Sequence, residues 1–264
     1  MVKLVVVDMD GTFLDDSKKM SPEFDKVFKS LKSKGVYFCV ASGRQMASLK
    51  KEFAGYEEDI LFIAENGTVV EFDGELISVD ELSIEVTEKI LNRIKYLGDK
   101  KKVVYCTREC SYIDGLDDEQ AIKNAQQYLP SHKIVDSFDE VDSLPVKVSF
   151  YSENGYDHDF EAIVEEFGDL ATVCTSGFEW LDVIPKNASK GNGIQKIQKL
   201  LNIDDSEIMA FGDQMNDFDM LSKVYYSYAM DNAIDEIKQI SRFSAPSNNE
   251  YGVIQVLKEF FEID

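Results

Sequence analysis

Four short runs of unbroken apolar sequence, Leu4 to Val7, Val36 to Ala41, Ile60 to Ala64 and Ile208 to Phe211, constrain this chain more than any other feature. A strand with one face in water alternates apolar and polar residues. An unbroken run suits a strand buried on both faces, as in a parallel sheet covered by helices. Each run ends abruptly in small or charged residues: Asp8, Ser42, Glu65-Asn66-Gly67 and Gly212-Asp213. Between the first two runs lies a marked helix. Ser21 can cap it, Pro22 suits its first turn, Phe24, Val27, Phe28 and Leu31 recur at helical spacing, and Gly35 stops it. Strand, helix, strand in this order is a βαβ unit. In open α/β sheets the ligand sits beyond the carboxyl ends of the strands, where these polar residues fall. Asp8 and Asp10 taken alone could be turn and cap acids; their position at a strand end makes them candidates for chemistry.

The middle of the chain has a different rhythm. Val86, Ile90 and Ile94 mark an amphipathic helix stopped near Gly98, followed by a strand at Val103 to Cys106 and a helical stretch from Asp117 to Tyr128. A strand at Val146 to Tyr151, a helix around Phe160 to Phe167, and strands at Leu170 to Thr175 and Phe178 to Ile184 come next. The last two, separated by Ser176-Gly177, suggest a hairpin and hence an α+β module. The parallel pattern then resumes, with a helix after Ser189, the Ile208 strand, a helix from Asp217 and a strand at Tyr225 to Met230. The expected organisation is a Rossmann-like α/β core with a parallel sheet, formed by residues 1–82 and 186–264, interrupted by an α+β insert at 83–185. The polar "KNASKGNG" at Lys186 to Gly193 carries a Gly-x-Gly, but it lacks the third glycine and the preceding strand of a dinucleotide fingerprint.

Composition narrows the function. A formal net charge of −22 offers no Lys/Arg stripe for a nucleic-acid backbone, so no nucleic-acid partner is expected. An anionic ligand would need local positive charge, from a metal ion or a placed lysine. The apolar runs fall far short of the roughly 20 residues a membrane span needs, and no signal peptide is recognised, so a cytoplasmic protein without a membrane partner is expected. Cys39, Cys106, Cys110 and Cys174 lack zinc-like pairing and suit reduced structural thiols. His132 and His158 sit in no motif, so acid–base work falls to carboxylates.

Four segments belong together: "DMDGT" at Asp8 to Thr12, "ASGR" at Ala41 to Arg44, "SKGNG" at Ser189 to Gly193, and "GDQMND" at Gly212 to Asp217. In order and spacing this set resembles the four motifs of the haloacid dehalogenase superfamily. The insert lies where the Cof-type sugar-phosphatase branch carries its cap, and "MDNAIDEIK" and "SNNEYGV" resemble that branch too. The resemblance spans essentially the whole chain. Phe13 stands where the first motif often has leucine, and Ser42 where many relatives have threonine; serine keeps the hydroxyl.

The resemblance implies a Mg²⁺-dependent phosphatase of small phosphorylated metabolites, with Asp8 as nucleophile and Asp10 as the acid–base group. A carboxylate nucleophile splits the slow hydrolysis of a phosphate monoester into two easier steps through an aspartyl-phosphate. An alkoxide leaves poorly without a proton, hence the second acid. Carboxylates and phosphate repel, so Mg²⁺, which favours oxygen ligands, is implied at the Asp8 side chain, the Asp10 backbone carbonyl and the Asp213 side chain. Asp217 would lie close by, orienting the metal ligands or Lys190. Phosphate donors by the same resemblance are Ser42, Gly43, Lys190, Asn216 and the Met9 backbone N–H, and Arg44 suits a structural salt bridge. Three other readings share these features. A signalling receiver domain needs neither the insert nor an acid at Asp10. A phosphomutase or phosphotransferase would replace water by another hydroxyl. A regulatory protein would bind phosphate without turnover. The cap of this branch covers the site and reads the leaving group, for which Tyr112, Asp114 and Trp180 are candidates, although such aromatics are more often core. Sugar phosphates, FMN and pyridoxal phosphate all fit the class, and a monomer or weak homodimer is expected.

Overall fold

The computed structural model describes residues 1–97, 101–114, 131–152, 158–175 and 180–264. They form two compact units: Met1–Ser42, Phe53–Ile77 and Ser189–Asp264 in one, Gly43–Glu52 and Ser78–Ala188 in the other.

The first unit opens with β1 (Leu4–Val7), α1 (Phe24–Ser33) and β2 (Tyr37–Ala41). Helix α1 begins later than Pro22 suggests. Ser21 Oγ accepts from the Glu23 N–H and the Ser21 carbonyl from the Phe24 N–H, so Ser21 and Pro22 form a turn that leads into the helix. Its buried stripe is Phe24, Val27, Phe28 and Leu31, and Gly35, at φ +72°, follows its end. After α2 (Met46–Glu52), a part of the second unit, come β3 (Ile60–Ala64), β4 (Val69–Phe72) and β5 (Glu75–Val79).

The second unit continues with α3 (Ile84–Ile94), β6 (Lys101–Cys106), β7 (Ser111–Asp114), β8 (His132–Val135), β9 (Lys147–Ser152), α4 (His158–Phe167), β10 (Ala171–Thr175) and β11 (Trp180–Pro185). Its strands run β10-β11-β9-β6-β7-β8, antiparallel except for the β7–β8 pair. One face of this sheet buries Val103, Tyr105, Val148, Phe150, Leu181 and Val183 against Val86 and Ile90 of α3 and Phe160, Ile163 and Phe167 of α4. The pleat turns Lys147, Ser149 and Asp182 to the other face. The expected helix at Asp117 to Tyr128, the stop near Gly98 and the Ser176-Gly177 connection lie outside the described residues. The β10–β11 pairing is antiparallel, as a hairpin requires.

The chain returns to the first unit through α5 (Lys190–Leu201), β12 (Ile208–Gly212), α6 (Phe218–Lys223), β13 (Tyr226–Met230), α7 (Asp235–Ile240), β14 (Phe243–Ala245) and α8 (Gly252–Phe260). Its sheet runs β14-β13-β12-β1-β2-β3-β4-β5. From β14 to β3 every neighbouring pair is parallel, and β4 turns back antiparallel on β3. Every residue of β1, β3 and β12 is buried, which is why those runs carry no polar alternation. Under α1, the Phe13 ring meets Phe24 at 5.3 Å and Phe53 at 5.9 Å. Such pairs add about 0.5–1.5 kcal/mol each beyond area burial. They anchor the loop that follows β1, and that loop carries the acids.

Candidate active site

Parallel pairing of β1 with β12 sets Val7 beside Phe211. It therefore brings the residues after each strand to the same edge of the sheet, Asp8 from one and Asp213 from the other. The Asp8 N–H still donates to the Phe211 carbonyl at 3.1 Å, and the chain then turns. Phe13 N–H returns to the Asp8 and Met9 carbonyls, and Leu14 N–H to the Met9 carbonyl, closing a tight loop over Gly11. Gly11 has φ +80°, and a Cβ there would stand 2.4 Å from Asp213 Oδ2. Only glycine lets the loop approach that carboxylate.

The centre of the site is Lys190, fully buried at the start of α5, where Ser189 caps the helix by accepting from the Asn192 N–H at 3.0 Å. Lys190 Nζ donates to Asp8 Oδ1 at 2.5 Å and to Asp217 Oδ1 at 2.6 Å. Asp217 Oδ2 accepts from the backbone N–H groups of Asp213 and Gln214, at 2.9 and 3.1 Å. Both Asp217 oxygens are thus committed to holding the lysine and the β12 turn. Asp213 Oδ1 accepts from Thr12 Oγ1 at 2.8 Å, and its Oδ2 from Gln214 Nε2 at 3.3 Å.

Carboxylate oxygens of Asp8, Asp213 and Asp217 lie within 4.8 Å of one another, and all three residues are buried. One ammonium faces three carboxylates. Burial, which disfavours charge, raises the Asp8 carboxyl well above its usual range; Lys190 opposes the shift, and Asp217 and Asp213 add to it. Burial and the Asp217 charge push Asp213 up to about 6, against the Thr12 and Gln214 hydrogen bonds. For Lys190, burial works against the charged form, but the Asp217 and Asp8 carboxylates outweigh it and hold the ammonium above the usual lysine range. A crowded set of oxygen donors with too little positive charge is what a hard divalent cation such as Mg²⁺ satisfies.

Other residues singled out in the sequence take different places. Asp10 is not part of the buried carboxylate cluster: its Oδ1 accepts from Lys18 Nζ at 2.6 Å, in a pair that is substantially exposed. Met9 is fully buried in the loop. Ser42, 2 % exposed, ends β2, its N–H donating to the Ile63 carbonyl and its carbonyl accepting from the Asn66 N–H. Asn216 Nδ2 donates to Asn66 Oδ1 at 3.2 Å. Gly43 belongs to the second unit, where Lys147 Nζ donates to its carbonyl at 3.1 Å. Arg44 pairs with Glu52 at 3.8 Å. Tyr112 packs against the apolar cluster of the second unit, while Trp180 packs at a tilt against Tyr151, centroids 5.0 Å apart and planes at 52°. The Asp114 side chain lies outside the described residues. Sequence reasoning gave no part to Thr12 or Gln214, although both stand inside the quoted motifs. Asn66 was visible only as the end of an apolar run.

A strand-end aspartate bonded to a buried lysine, with acids gathered from the end of the neighbouring strand, defines a class of hydrolase. The family model of haloacid dehalogenase-like hydrolases matches residues 5–257, and the chain belongs to that family. Over 262 residues it is 33% identical to the Escherichia coli K12 protein named 5-amino-6-(5-phospho-D-ribitylamino)uracil phosphatase YbjI, covering 97% of this chain and 95% of that one. It is 26% identical over 255 residues to the HMP-PP phosphatase of Cronobacter sakazakii, covering 90% of this chain and 87% of the other. Among solved structures, SMU.1108c from Streptococcus mutans UA159 superposes with a TM-score of 0.90 at 26% identity, covering 99% of this chain and 100% of that one. The chain is a phosphoric monoester hydrolase of this family, a phosphatase of small phosphorylated metabolites. Among the described residues no helix is long and apolar enough to cross a membrane.

Proposed function

We propose that this chain hydrolyses phosphate monoesters of polyol or sugar-like metabolites in a Mg²⁺-dependent reaction that passes through a phosphorylated Asp8. The observation that carries this reading is the buried ion pair between Lys190 and Asp8 at the parallel strand ends, with Asp213 and Asp217 beside it. The donor set suits Mg²⁺, held by the Asp8 side chain, the Asp10 backbone carbonyl and the Asp213 side chain. When bound, the ion offsets the negative charge that otherwise keeps phosphate and carboxylates apart.

The chain's own residues do the rest. A carboxylate oxygen of Asp8 attacks phosphorus, and the bond from phosphorus to the leaving oxygen breaks. Asp10, as a carboxylic acid, gives its proton to that oxygen. Asp10, now a carboxylate, takes a proton from water, whose oxygen attacks phosphorus; the acyl phosphate opens, restoring Asp8 and releasing inorganic phosphate. Lys190 supplies fixed positive charge to the non-bridging oxygens, and Ser42, Gly43, Asn216 and the Met9 N–H supply donors. Asp217 keeps Lys190 charged and aimed at Asp8. Asp10 reaches this role by exchanging its exposed Lys18 partner for the leaving group.

The leaving-group class is supported by the 33% identical relative, whose name specifies a phosphoribityl-aminouracil. The test is phosphate release from that compound, hexose phosphates, FMN and pyridoxal phosphate, with Mg²⁺ or EDTA, by wild type and Asp8→Asn. Mg²⁺-dependent release that disappears in the variant is the expected outcome. Release that survives Asp8→Asn overturns the assignment of the nucleophile, and no release from any compound by folded, Mg²⁺-loaded protein overturns the hydrolytic reading.

A further inference from the structure

Between β3 and β4 the backbone makes an uncommon turn. Glu65, Asn66 and Gly67 have φ of 50°, 56° and 102°, three successive residues in the left-handed region, and all three are buried. Non-glycine residues adopt this conformation at a cost, and asparagine less reluctantly than most. Such strain persists where the surroundings hold it, and it concentrates at functional sites. Here the surroundings are the site itself. The Asn66 N–H donates to the Ser42 carbonyl at 2.9 Å, and Asn66 Oδ1 accepts from Asn216 Nδ2 at 3.2 Å. Gly67 lies so close to the Ser189-Lys190 backbone that a Cβ would stand 2.0 Å from the Ser189 carbonyl oxygen. One turn thus touches the segments that carry Ser42, Lys190 and Asn216.

The Asn66 side chain also has an unmet need. The residue is 3 % exposed, and its Nδ2 is shielded from solvent with no acceptor among the described residues. A buried amide N–H without an acceptor is costly and rare. Oδ1 is already engaged by Asn216. A ligand oxygen entering beside Ser42 and Asn216 would supply that acceptor.

We infer that Asn66 is a further phosphate-binding residue of this site, donating from Nδ2 to a non-bridging phosphate oxygen while Oδ1 orients the Asn216 carboxamide. This rests on the phosphatase reading and adds a contact that none of the four sequence segments contains.

The backbone geometry makes the test clean. Aspartate and glycine both tolerate positive φ, so Asn66→Asp and Asn66→Gly change side-chain chemistry without adding backbone strain. The probe is inorganic phosphate, its affinity for Mg²⁺-loaded protein measured by calorimetry and as a competitive inhibition constant, together with melting temperature, kcat and KM. Both variants should bind phosphate at least about tenfold more weakly and raise KM. Asn66→Asp should be the weaker binder, because its carboxylate repels the anion and cannot donate. Phosphate affinity equal to wild type in either variant overturns the inference and leaves Asn66 a structural turn residue. Binding retained by Asn66→Asp but lost in Asn66→Gly would show an acceptor and overturn it too. If Asn66 variants match a wild type that turns over, only this inference fails. If wild type neither binds nor releases phosphate, the phosphatase reading fails with it.

Discussion

Replacing Lys190 by methionine, an unbranched side chain one atom shorter and without charge, is the most searching perturbation of this site. In the folded protein Lys190 is 0% exposed and is the ammonium bonded to both Asp8 and Asp217, with Asp213 in the same cluster. Removing one partner of a buried ion pair leaves uncompensated buried charge and costs about 3–5 kcal/mol. An unfolding entropy of about 2.1 cal/mol/K per residue over 264 residues converts this to a melting-temperature drop of roughly 5–9 °C. The loss has a pH signature. The penalty exists only where the carboxylates ionise in the unfolded chain, above pH about 4, and grows until the pH passes the raised folded values of Asp8 and Asp213. The variant should therefore lose about 5–9 °C at pH 7.5 in EDTA and much less at pH 4.5. Mg²⁺ should restore part of the difference, and adding Asp217→Asn should restore more, since it removes one of the stranded acids. Calorimetry at the two pH values, with and without the ion, reads all of this. An equal loss at both pH values would mean that Lys190 acts by packing alone and would refute the electrostatic account.

Three further expectations follow from Asp213 and its neighbours. Because burial pushes Asp213 up to about 6, the metal-free protein should lose stability as pH rises from about 4 to 6, and the thermal stabilisation given by Mg²⁺ should grow over the same window. Thr12→Val removes the hydroxyl that favours the ionised form, so the pH midpoint of that stabilisation should move upward in a fluorescence melt; an unmoved midpoint would refute the role given to Thr12. Gly11→Ala places a methyl against the Asp213 carboxylate at a positive φ, and should lower Mg²⁺ affinity and kcat at least about tenfold while most of the melting temperature is kept. Unchanged activity in that variant would show that the loop gives way freely.

Much of the sheet was legible because burial on both faces writes itself as unbroken apolar sequence: β1, β3 and β12 could be recognised from four or five residues each. The stripe of α1 was equally plain, whereas its start was misplaced because Ser21 and Pro22 serve a preceding turn as readily as a helix. Strands β5 and β14 left little signal, since their residues are mostly exposed or partly exposed and packing does not dictate their type. The burial of Lys190 was equally hidden. A lysine at the first turn of a helix looks like a solvated one, and only the tertiary meeting of β1, α5 and the β12 turn encloses it. The left-handed turn at Asn66 leaves no mark on hydrophobic periodicity at all, for its cause is backbone conformation and its partners are distant in sequence.

The pairing of β1 between β2 and β12 has a consequence in time. β2 follows β1 closely in sequence, but Thr12 and its partner Asp213 are 201 residues apart. At synthesis rates of about 5–20 residues per second, that interval lasts roughly 10–40 seconds. Until β12 is made β1 has one edge without its partner strand, and for most of that time Asp8 lacks the lysine that will enclose it. The central strand of the core is therefore the one that waits, and a nascent chain of this design is open to misplaced pairing along that edge until β12 is made. Asp8 is made well before Lys190 and Asp213, and the fold leaves its buried setting incomplete until both have followed.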